Sequence, residues 1–244
     1  MFRSLQYRVF EPRRGLRTAD RRAWACLERC RTRLKLDAVP LPVPVENWIE
    51  GPLQIRLGFR DLSHIGPGLL GAAFVGEREI LVDPQTLSNE ARCRFTCAHE
   101  LGHVVLHARA AREFHDAFDY SFDQRNRFER EANQFAAAFL MPLPLVECAF
   151  AEICREQAVD PARLVARLMF ESPESEHLWR SRVLPEFCRR FGVSATAAVI
   201  RFAGIQPCIP QSRPVMPRTF VQRFLDRVDP AQSQFGFAAR SAAQ

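Results

Sequence analysis

Three residues near the middle of the chain have the types and the spacing to bind a metal ion and activate water. His99, Glu100 and His103 form an HExxH pattern inside FTCAHELGHVVLH, a stretch whose residues favour helix. On a helix, side chains four residues apart lie one above the other, so both imidazoles can face one ion. Glu100, one step round, then reaches a water molecule bound to that ion. The pattern predicts a zinc hydrolase site with Glu100 as the general base.

The surrounding residues decide between that interpretation and two solvated surface histidines. An apolar stripe at helical spacing lies beside the histidine face and predicts that the helix is buried on one side; it consists of Phe95, Ala98, Leu101, Val104 and Val105. Buried imidazoles need partners, and a metal ion supplies them. The context therefore favours the metal site.

A zinc site needs a third protein ligand, and a catalytic site keeps its fourth position open for water. The downstream stretch from Arg125 to Pro142 has a helical pattern, with an apolar stripe of Phe128, Ala132, Phe135 and Phe139. Glu129 and Asn133 share a neighbouring face of that helix. Glu129 can therefore ligate the ion, while the Asn133 oxygen accepts a hydrogen bond from the far nitrogen of a ligating histidine. Spacing alone leaves other ligands open, namely Glu131, which lies almost on the opposite side of the helix, Asp119, Asp123 and His115.

Two motifs, HELGHVVLH and then ExxANxFAAxxLMP, are similar in kind and order to those of the ImmA/IrrE family of zinc-dependent peptidases. The resemblance covers roughly Leu53 to Pro142 and resumes at Leu184 to Gly204. It implies a gluzincin-like site in which Glu129 joins the two histidines as a ligand of Zn²⁺. It also implies a narrow substrate, a helix-turn-helix transcriptional repressor that is cut to release genes of a mobile element or a stress response.

The chain departs from the family pattern in three places. Phe139 stands where the family usually has Leu, and the segment from Cys148 to Arg182 is longer than the usual connection. The basic N-terminus does not resemble the helix-turn-helix that some members carry. Operator binding through such a domain is therefore not expected.

Three further residues are candidates for supporting roles. Tyr120 and His115 lie in the segment that links the two predicted metal-bearing helices, and either could stabilise the oxyanion formed during amide hydrolysis. His107, one turn beyond His103, is expected to hydrogen-bond behind a ligand rather than to bind the ion itself. A metzincin would need a third histidine at position 109, where this chain has Arg, so that family is excluded.

The segment before the HExxH helix has the pattern of a small sheet. Alternating apolar residues predict a strand from Leu53 to Phe59, and turn-rich segments set off two more at Leu69 to Val75 and Arg78 to Val82. Ser88 is expected to cap the helix that follows. Three short strands and two metal-bearing helices predict an α+β fold with a zincin-like catalytic domain.

The flanking segments have helical patterns. An amphipathic helix is predicted from Thr18 to Leu36, followed by a proline-rich connector at Val39 to Pro44. Later helices are predicted at Val146–Gln157, Pro161–Phe170, Leu184–Phe202, with a turn at Gly192 and a cap at Ser194, and Phe220–Val228. We therefore predict a basic N-terminal helical segment with its connector at 1–45, a zincin-like metallopeptidase domain at 46–145, and a helical C-terminal subdomain with a tail at 146–244.

Composition and charge restrict the partners. A chain of 244 residues that is 47% hydrophobic can bury a substantial core. No apolar run approaches about 18 residues and the N-terminus lacks a hydrophobic signal core, so we expect a cytoplasmic protein with no membrane partner.

The eight cysteines form no CxxC pair and are expected mostly as small buried hydrophobes. Residues 1–36 carry 11 Arg or Lys against three acidic residues; nucleic acid is a possible partner, but a solvated arginine-rich helix face is the favoured interpretation.

The main prediction is a zinc-dependent, site-specific endopeptidase in which zinc lowers the pKa of bound water and Glu100 moves its proton. Two other classes stay open. One is a non-catalytic regulator that uses a zincin fold to dock a toxin or repressor. The other is a nucleic-acid-binding regulator that uses the basic N-terminus and the Gly192 turn. An intact HExxH with Glu129 argues against both, because a docking module has no need of Glu100.

Overall fold

The fold is described from a computed structural model, which places residues 18–108, 122–160, 163–164, 167–168 and 172–204. Two helices precede the sheet, α1 (Thr18–Arg33) and α2 (Val45–Glu50). The strands are β1 (Arg56–Phe59), β2 (Gly71–Phe74) and β3 (Glu79–Val82). The remaining helices are a 3₁₀ turn at Pro84–Ser88, α3 (Glu90–Leu106), α4 (Phe122–Leu140), α5 (Leu143–Glu156), α6 (Pro173–Leu178), a π-helical turn at Trp179–Val183, α7 (Leu184–Phe191) and α8 (Ala195–Gly204).

The three strands form one mixed sheet in the order β1-β3-β2. β1 runs parallel to β3, and β2 runs antiparallel to it, with Gly71 opposite Val82. Ile80 and Val82 are fully buried, while Glu79 and Leu81, which alternate with them, are only partly covered, as period-2 alternation predicts. The predicted α+β class with a small three-stranded sheet is confirmed.

β1 and β3 begin later than predicted because the backbone turns away at their N-terminal ends. Gln54 and Arg78 both have positive φ values, 55° and 52°, which extended strands do not contain. The Arg78 side chain donates a hydrogen bond of 2.7 Å to the Leu53 carbonyl and holds the start of β1 beside that of β3. β1 and β3 therefore begin at Arg56 and Glu79.

The cap of α3 differs from the prediction by one residue. Ser88 ends the 3₁₀ turn instead, and its hydroxyl donates to the Gln85 carbonyl. Asn89 caps the helix, since its side-chain oxygen accepts from the Arg92 N–H at 3.1 Å. Ser88 is the last residue of the 3₁₀ turn that precedes the helix, so it cannot also be the helix cap. The prediction that Ser88 caps α3 was wrong.

α3 and α4 pack closely together, and a glycine permits the approach. A Cβ atom at Gly102 would lie 3.1 Å from Ala132 Cα and 3.2 Å from its carbonyl oxygen. Ala132, Phe135 and Phe139 are fully buried as predicted, and α4 ends before Pro142. Phe128 is only partly buried; its ring lies over His107, with centroids 4.4 Å apart. The close contact brings the polar face of α4 to the histidines of α3.

The hydrophobic core is continuous from α1 to α8. α1 packs against α4, and it ends at Arg33 because Lys35 takes a positive φ of 53°; Leu34 and Leu36 are consequently exposed. The proline-rich connector is part of the packing, since the fully buried Val43 accepts a hydrogen bond from the Arg94 side chain through its carbonyl. The division into segments 1–45, 46–145 and 146–244 stays a prediction. The hydrophobic core includes residues from all three segments.

The predicted helical segment from Leu184 to Phe202 consists of two helices. Gly192 adopts the left-handed conformation at φ 61° and ends α7, and the Ser194 hydroxyl accepts from the Ala197 N–H at 3.1 Å to start α8. The turn and the cap are as predicted. From α8, Arg201 donates to the Met141 carbonyl just beyond α4 and pairs with Asp20 of α1.

Some predicted features lie outside the described residues. These are residues 1–17 of the basic N-terminus, most of Pro161–Phe170, and the helix at Phe220–Val228. Within the described ranges, no single helix has the length and hydropathy of a membrane span, and one bent pair, Asn126–Leu140 with Leu143–Glu156, meets that requirement only jointly.

Candidate metal centre

Three potential ligand side chains from two helices converge on one point. His99 Nε2 lies 3.1 Å from His103 Nε2 and 3.1 Å from Glu129 Oε2, and His103 Nε2 lies 3.4 Å from Glu129 Oε1. In a tetrahedral zinc site with bonds of about 2.0–2.1 Å, ligand atoms lie about 3.3 Å apart. The spacing of the group therefore fits one zinc-sized ion without rearrangement.

The hydrogen bonds behind the histidines turn their lone pairs toward the same point. His99 Nδ1 lies 3.1 Å from the Asn133 side-chain oxygen, which can only accept, so Nδ1 carries the proton. The proton-free Nε2 of a neutral His99 then faces the group. This is the contact predicted for Asn133, and it is how ligating histidines are usually oriented.

His103 is oriented by a longer chain of contacts. Its Nδ1 lies 3.1 Å from His107 Nδ1, and His107 Nε2 lies 3.2 Å from Glu131 Oε2. The carboxylate accepts from His107 Nε2–H, so His107 Nδ1 is free to accept from His103 Nδ1–H. Burial and the nearby His103 lower the pKa of His107 to about 4, which keeps it neutral in this role.

Two proton-free imidazole nitrogens and a carboxylate cannot stay in mutual contact without a positive charge between them. Burial opposes protonation of His99, but the hydrogen bond to Glu129 and the charge of Glu100 raise its pKa overall. Burial likewise acts to raise the pKa of Glu129, yet hydrogen bonds to His103 and His99 lower it well below its usual range. Protons and a metal ion compete for the same lone pairs, and the donor set of two imidazoles and a carboxylate suits a divalent ion such as zinc.

Glu100 lies beside this group and is only 7% exposed. Burial raises the pKa of its carboxyl group, although the two nearby histidines act in the opposite direction. Its position depends on β2: a Cβ atom at Gly71 would lie 2.5 Å from Glu100 Oε1 and 2.8 Å from its Cγ. The glycine at the start of β2 therefore leaves the space that the carboxyl group occupies.

The structure separates the alternative ligands. Glu131 contacts His107 and Arg127 and is not one of the three converging groups. Asp119, His115 and Tyr120 lie outside the described residues, and Asp123 belongs to α4 but its side chain is not described. The sequence reasoning missed Gly71 and the role of Glu131. The supporting role predicted for His107 requires a hydrogen-bond acceptor behind it, and an acidic residue on the facing helix is the sequence signal that points to Glu131.

An α+β domain with an HExxH helix packed against a glutamate-bearing helix, beside a small mixed sheet, is the arrangement of zincin-like proteins. The chain belongs to the peptidase M78 family, described by its IrrE N-terminal-like domain, which matches residues 67–203, more than half of the chain. The membership inferred from the two motifs is thereby confirmed.

A relative is found among phage proteins. Over 55 residues the chain is 44% identical to Uncharacterized immunity region protein 2 of Bacillus phage phi105. The match covers 22% of this chain and 33% of the phage protein, so only a third of that relative's length is matched.

Proposed function

We propose that this chain is a zinc-dependent endopeptidase whose metal ligands are His99, His103 and Glu129. The observation that supports it best is the convergence of two imidazole nitrogens on α3 and the carboxylate of Glu129 on α4, with contacts of 3.1–3.4 Å between the groups. A bound divalent ion would polarise the scissile carbonyl and would lower the pKa of a bound water molecule toward neutral pH. The side chains of this protein have the other tasks, which are to move protons and to hold the peptide.

Glu100 is the proposed general base. It accepts a proton from the attacking water as the oxygen–carbon bond forms, and it returns that proton to the amide nitrogen as the carbon–nitrogen bond breaks. Burial raises the pKa of its carboxyl group, which makes its carboxylate a stronger base than that of a solvated glutamate. Asn133, His107 and Glu131 keep the two imidazoles in the required tautomers.

β2 is the proposed platform for the substrate. It is an outer strand in the order β1-β3-β2, and its first residue, Gly71, lies against Glu100. An extended peptide that adds to this edge by backbone hydrogen bonds would pass the general base. Because these hydrogen bonds involve only the peptide backbone, they would hold the substrate whatever most of its side chains are.

We propose a helix-turn-helix transcriptional repressor as the substrate. Two observations support this: membership of the peptidase M78 family, and the likeness of one segment to a protein that is named for a phage immunity region. Cleavage would remove the repressor and release the genes that it controls.

The test compares Glu100→Gln with the wild-type chain. Purified helix-turn-helix repressors from the same genome are incubated in turn with each protein and zinc, and fragments are identified by mass spectrometry. Wild type should produce a single cut, and Glu100→Gln should bind zinc normally and produce none. Glu90→Gln, an exposed glutamate at the start of the same helix, is the matched control and should cleave as wild type does.

Two results would contradict the proposal. Cleavage by Glu100→Gln at the wild-type rate would exclude Glu100 as the base. A wild-type protein that binds the repressor stoichiometrically, with zinc present, and leaves it intact would instead identify a docking module.

A further inference from the structure

α3 carries a second group of potential metal ligands, separate from the histidines. Cys93 and Cys97 of α3 and Glu46 of α2 have their ligand atoms within 4.8 Å of one another. The two cysteines are 5% and 0% exposed, and Glu46 is partly exposed. We propose that these three side chains bind a second, thiophilic metal ion, for which Zn²⁺ is the best match.

The spacing of the cysteines suits a chelate. Cys93 and Cys97 are four residues apart on one helix, the same relation as His99 and His103, so both sulfur atoms project from one face. Ligands of a tetrahedral zinc ion lie about 3.5–3.8 Å apart when bonds to sulfur are about 2.3 Å. Closing the group around an ion therefore requires side-chain shifts of about 1 Å or less.

The second group lies on a different face of α3 from the first. Cys97 precedes His99 by two residues, which is slightly more than half a turn of helix. Glu46 reaches Cys93 and Cys97 from α2, whereas Glu129 reaches the histidines from α4. One helix would thus hold a metal ion on each of two sides.

The charge of Glu46 points to a cation. Among the described residues, Glu46 has no hydrogen bond or ion pair, yet its carboxylate lies against two buried thiols. A thiol is only a weak hydrogen-bond donor, so two thiols compensate little of the carboxylate's negative charge, whereas a divalent ion between the three groups would compensate it. When a divalent ion binds, the two thiols release their protons to solvent, and two thiolates and one carboxylate remain as its ligands.

Another cysteine pair of the same spacing provides a control. Cys26 and Cys30 of α1 are also buried and also four residues apart. In the described part of the chain, no third ligand joins them in a group of metal-ligating side chains. Two thiols alone bind a metal ion more weakly than two thiols with a carboxylate. A comparison of the two cysteine pairs therefore separates the contribution of Glu46 to metal binding from that of the cysteine spacing.

The test is a titration of the reduced full chain with Co²⁺, which reports thiolate ligation by a near-ultraviolet charge-transfer band. Wild type should bind about two equivalents, one at each group, and show the band. A His99→Ala, His103→Ala double variant should keep the band and lose one equivalent. Cys93→Ser with Cys97→Ser should lose the band, and Cys26→Ser with Cys30→Ser should keep it.

Glu46→Gln tests the carboxylate without disturbing the core. This variant should keep the thiolate band but bind the ion at least roughly tenfold more weakly. Loss of a group that only supports a ligand already weakens metal binding by about tenfold, so loss of a ligand should cost at least as much. No thiolate band in wild type, or an equal band in the Cys93, Cys97 variant, would overturn the proposal. An unchanged affinity in Glu46→Gln would remove Glu46 from it. If the double serine variant fails to fold, the wild-type band and the Glu46→Gln affinity still decide.

Discussion

Replacing Gly71 with Ala should disturb the general base without touching a proposed metal ligand. The new Cβ would lie 2.5 Å from Glu100 Oε1, 2.8 Å from Cγ and 2.9 Å from Cδ. Ordinary contacts begin near 3.4 Å, so the carboxyl group has to move by about 1 Å. The ligands His99, His103 and Glu129 keep their own contacts, so zinc should bind as before.

The expected loss is larger in catalysis than in stability. A displacement of about 1 Å from the reactive geometry lowers a rate by about a hundredfold, equivalent to about 2.7 kcal/mol in the activation free energy. The colliding atoms belong to a side chain that can rotate, so the free energy of unfolding should fall by no more than about 1 kcal/mol, the lower end of the cost of overpacking. Catalysis depends on where the carboxyl group lies, whereas folding requires only that it fit.

The assay measures kcat for repressor cleavage, zinc content, and unfolding by urea in wild type and Gly71→Ala. Gly76→Ala is the matched control, because a Cβ there meets nothing within 4 Å and the glycine is only five residues away. Gly76→Ala should retain wild-type kcat. A Gly71→Ala protein with wild-type kcat would refute the claim that β2 positions Glu100, and a parallel loss of zinc would show that the effect is on the metal site instead.

Three further substitutions test other contacts. Gly102→Ala should lower the free energy of unfolding, measured with urea, by up to about 2 kcal/mol. The overpacking against Ala132 outweighs the gain of about 1 kcal/mol in helix propensity. Equal or greater stability would contradict the close approach of α3 and α4. Glu131→Ala should weaken zinc binding about 10–100-fold in a competition titration by freeing the tautomer of His107, while Arg127→Ala, which removes only the outer partner of Glu131, should not; equal effects would argue against the relay. Asp20→Ala should cost about 3–5 kcal/mol in unfolding free energy because it removes the carboxylate beside a buried guanidinium, and a loss below about 1 kcal/mol would show that the pair is not structural.

The sequence predicted the features that depend on local periodicity. HExxH on a helix, the three strands and the turn at Gly192 each follow from residue types within a few positions of one another. Glu129 was one of several possible ligands on spacing alone, while Asn133 on the same face takes the contact expected of a supporting residue. What spacing could not decide was Glu129 against Glu131, and the resemblance to a family supplied that choice.

The features that spacing could not predict depend on contacts between distant segments. Gly71 matters because β2 passes Glu100, and Glu131 matters because α4 packs close enough to α3 to reach His107. Glu46 joins Cys93 and Cys97 across more than forty residues of chain. Each contact follows from how the elements pack, and a single sequence contains no local pattern that reports it.

The guanidinium of Arg201 affects how the protein should be divided for study. It holds the Met141 carbonyl, directly after the helix that carries Glu129, and it pairs with Asp20 near the start of α1. A fragment cut at residues 46–145 would lack both Arg201 and Asp20, and it would expose the buried side of α4. Expression trials should therefore keep both ends of the described chain, because a shorter piece would test folding before it tested hydrolysis.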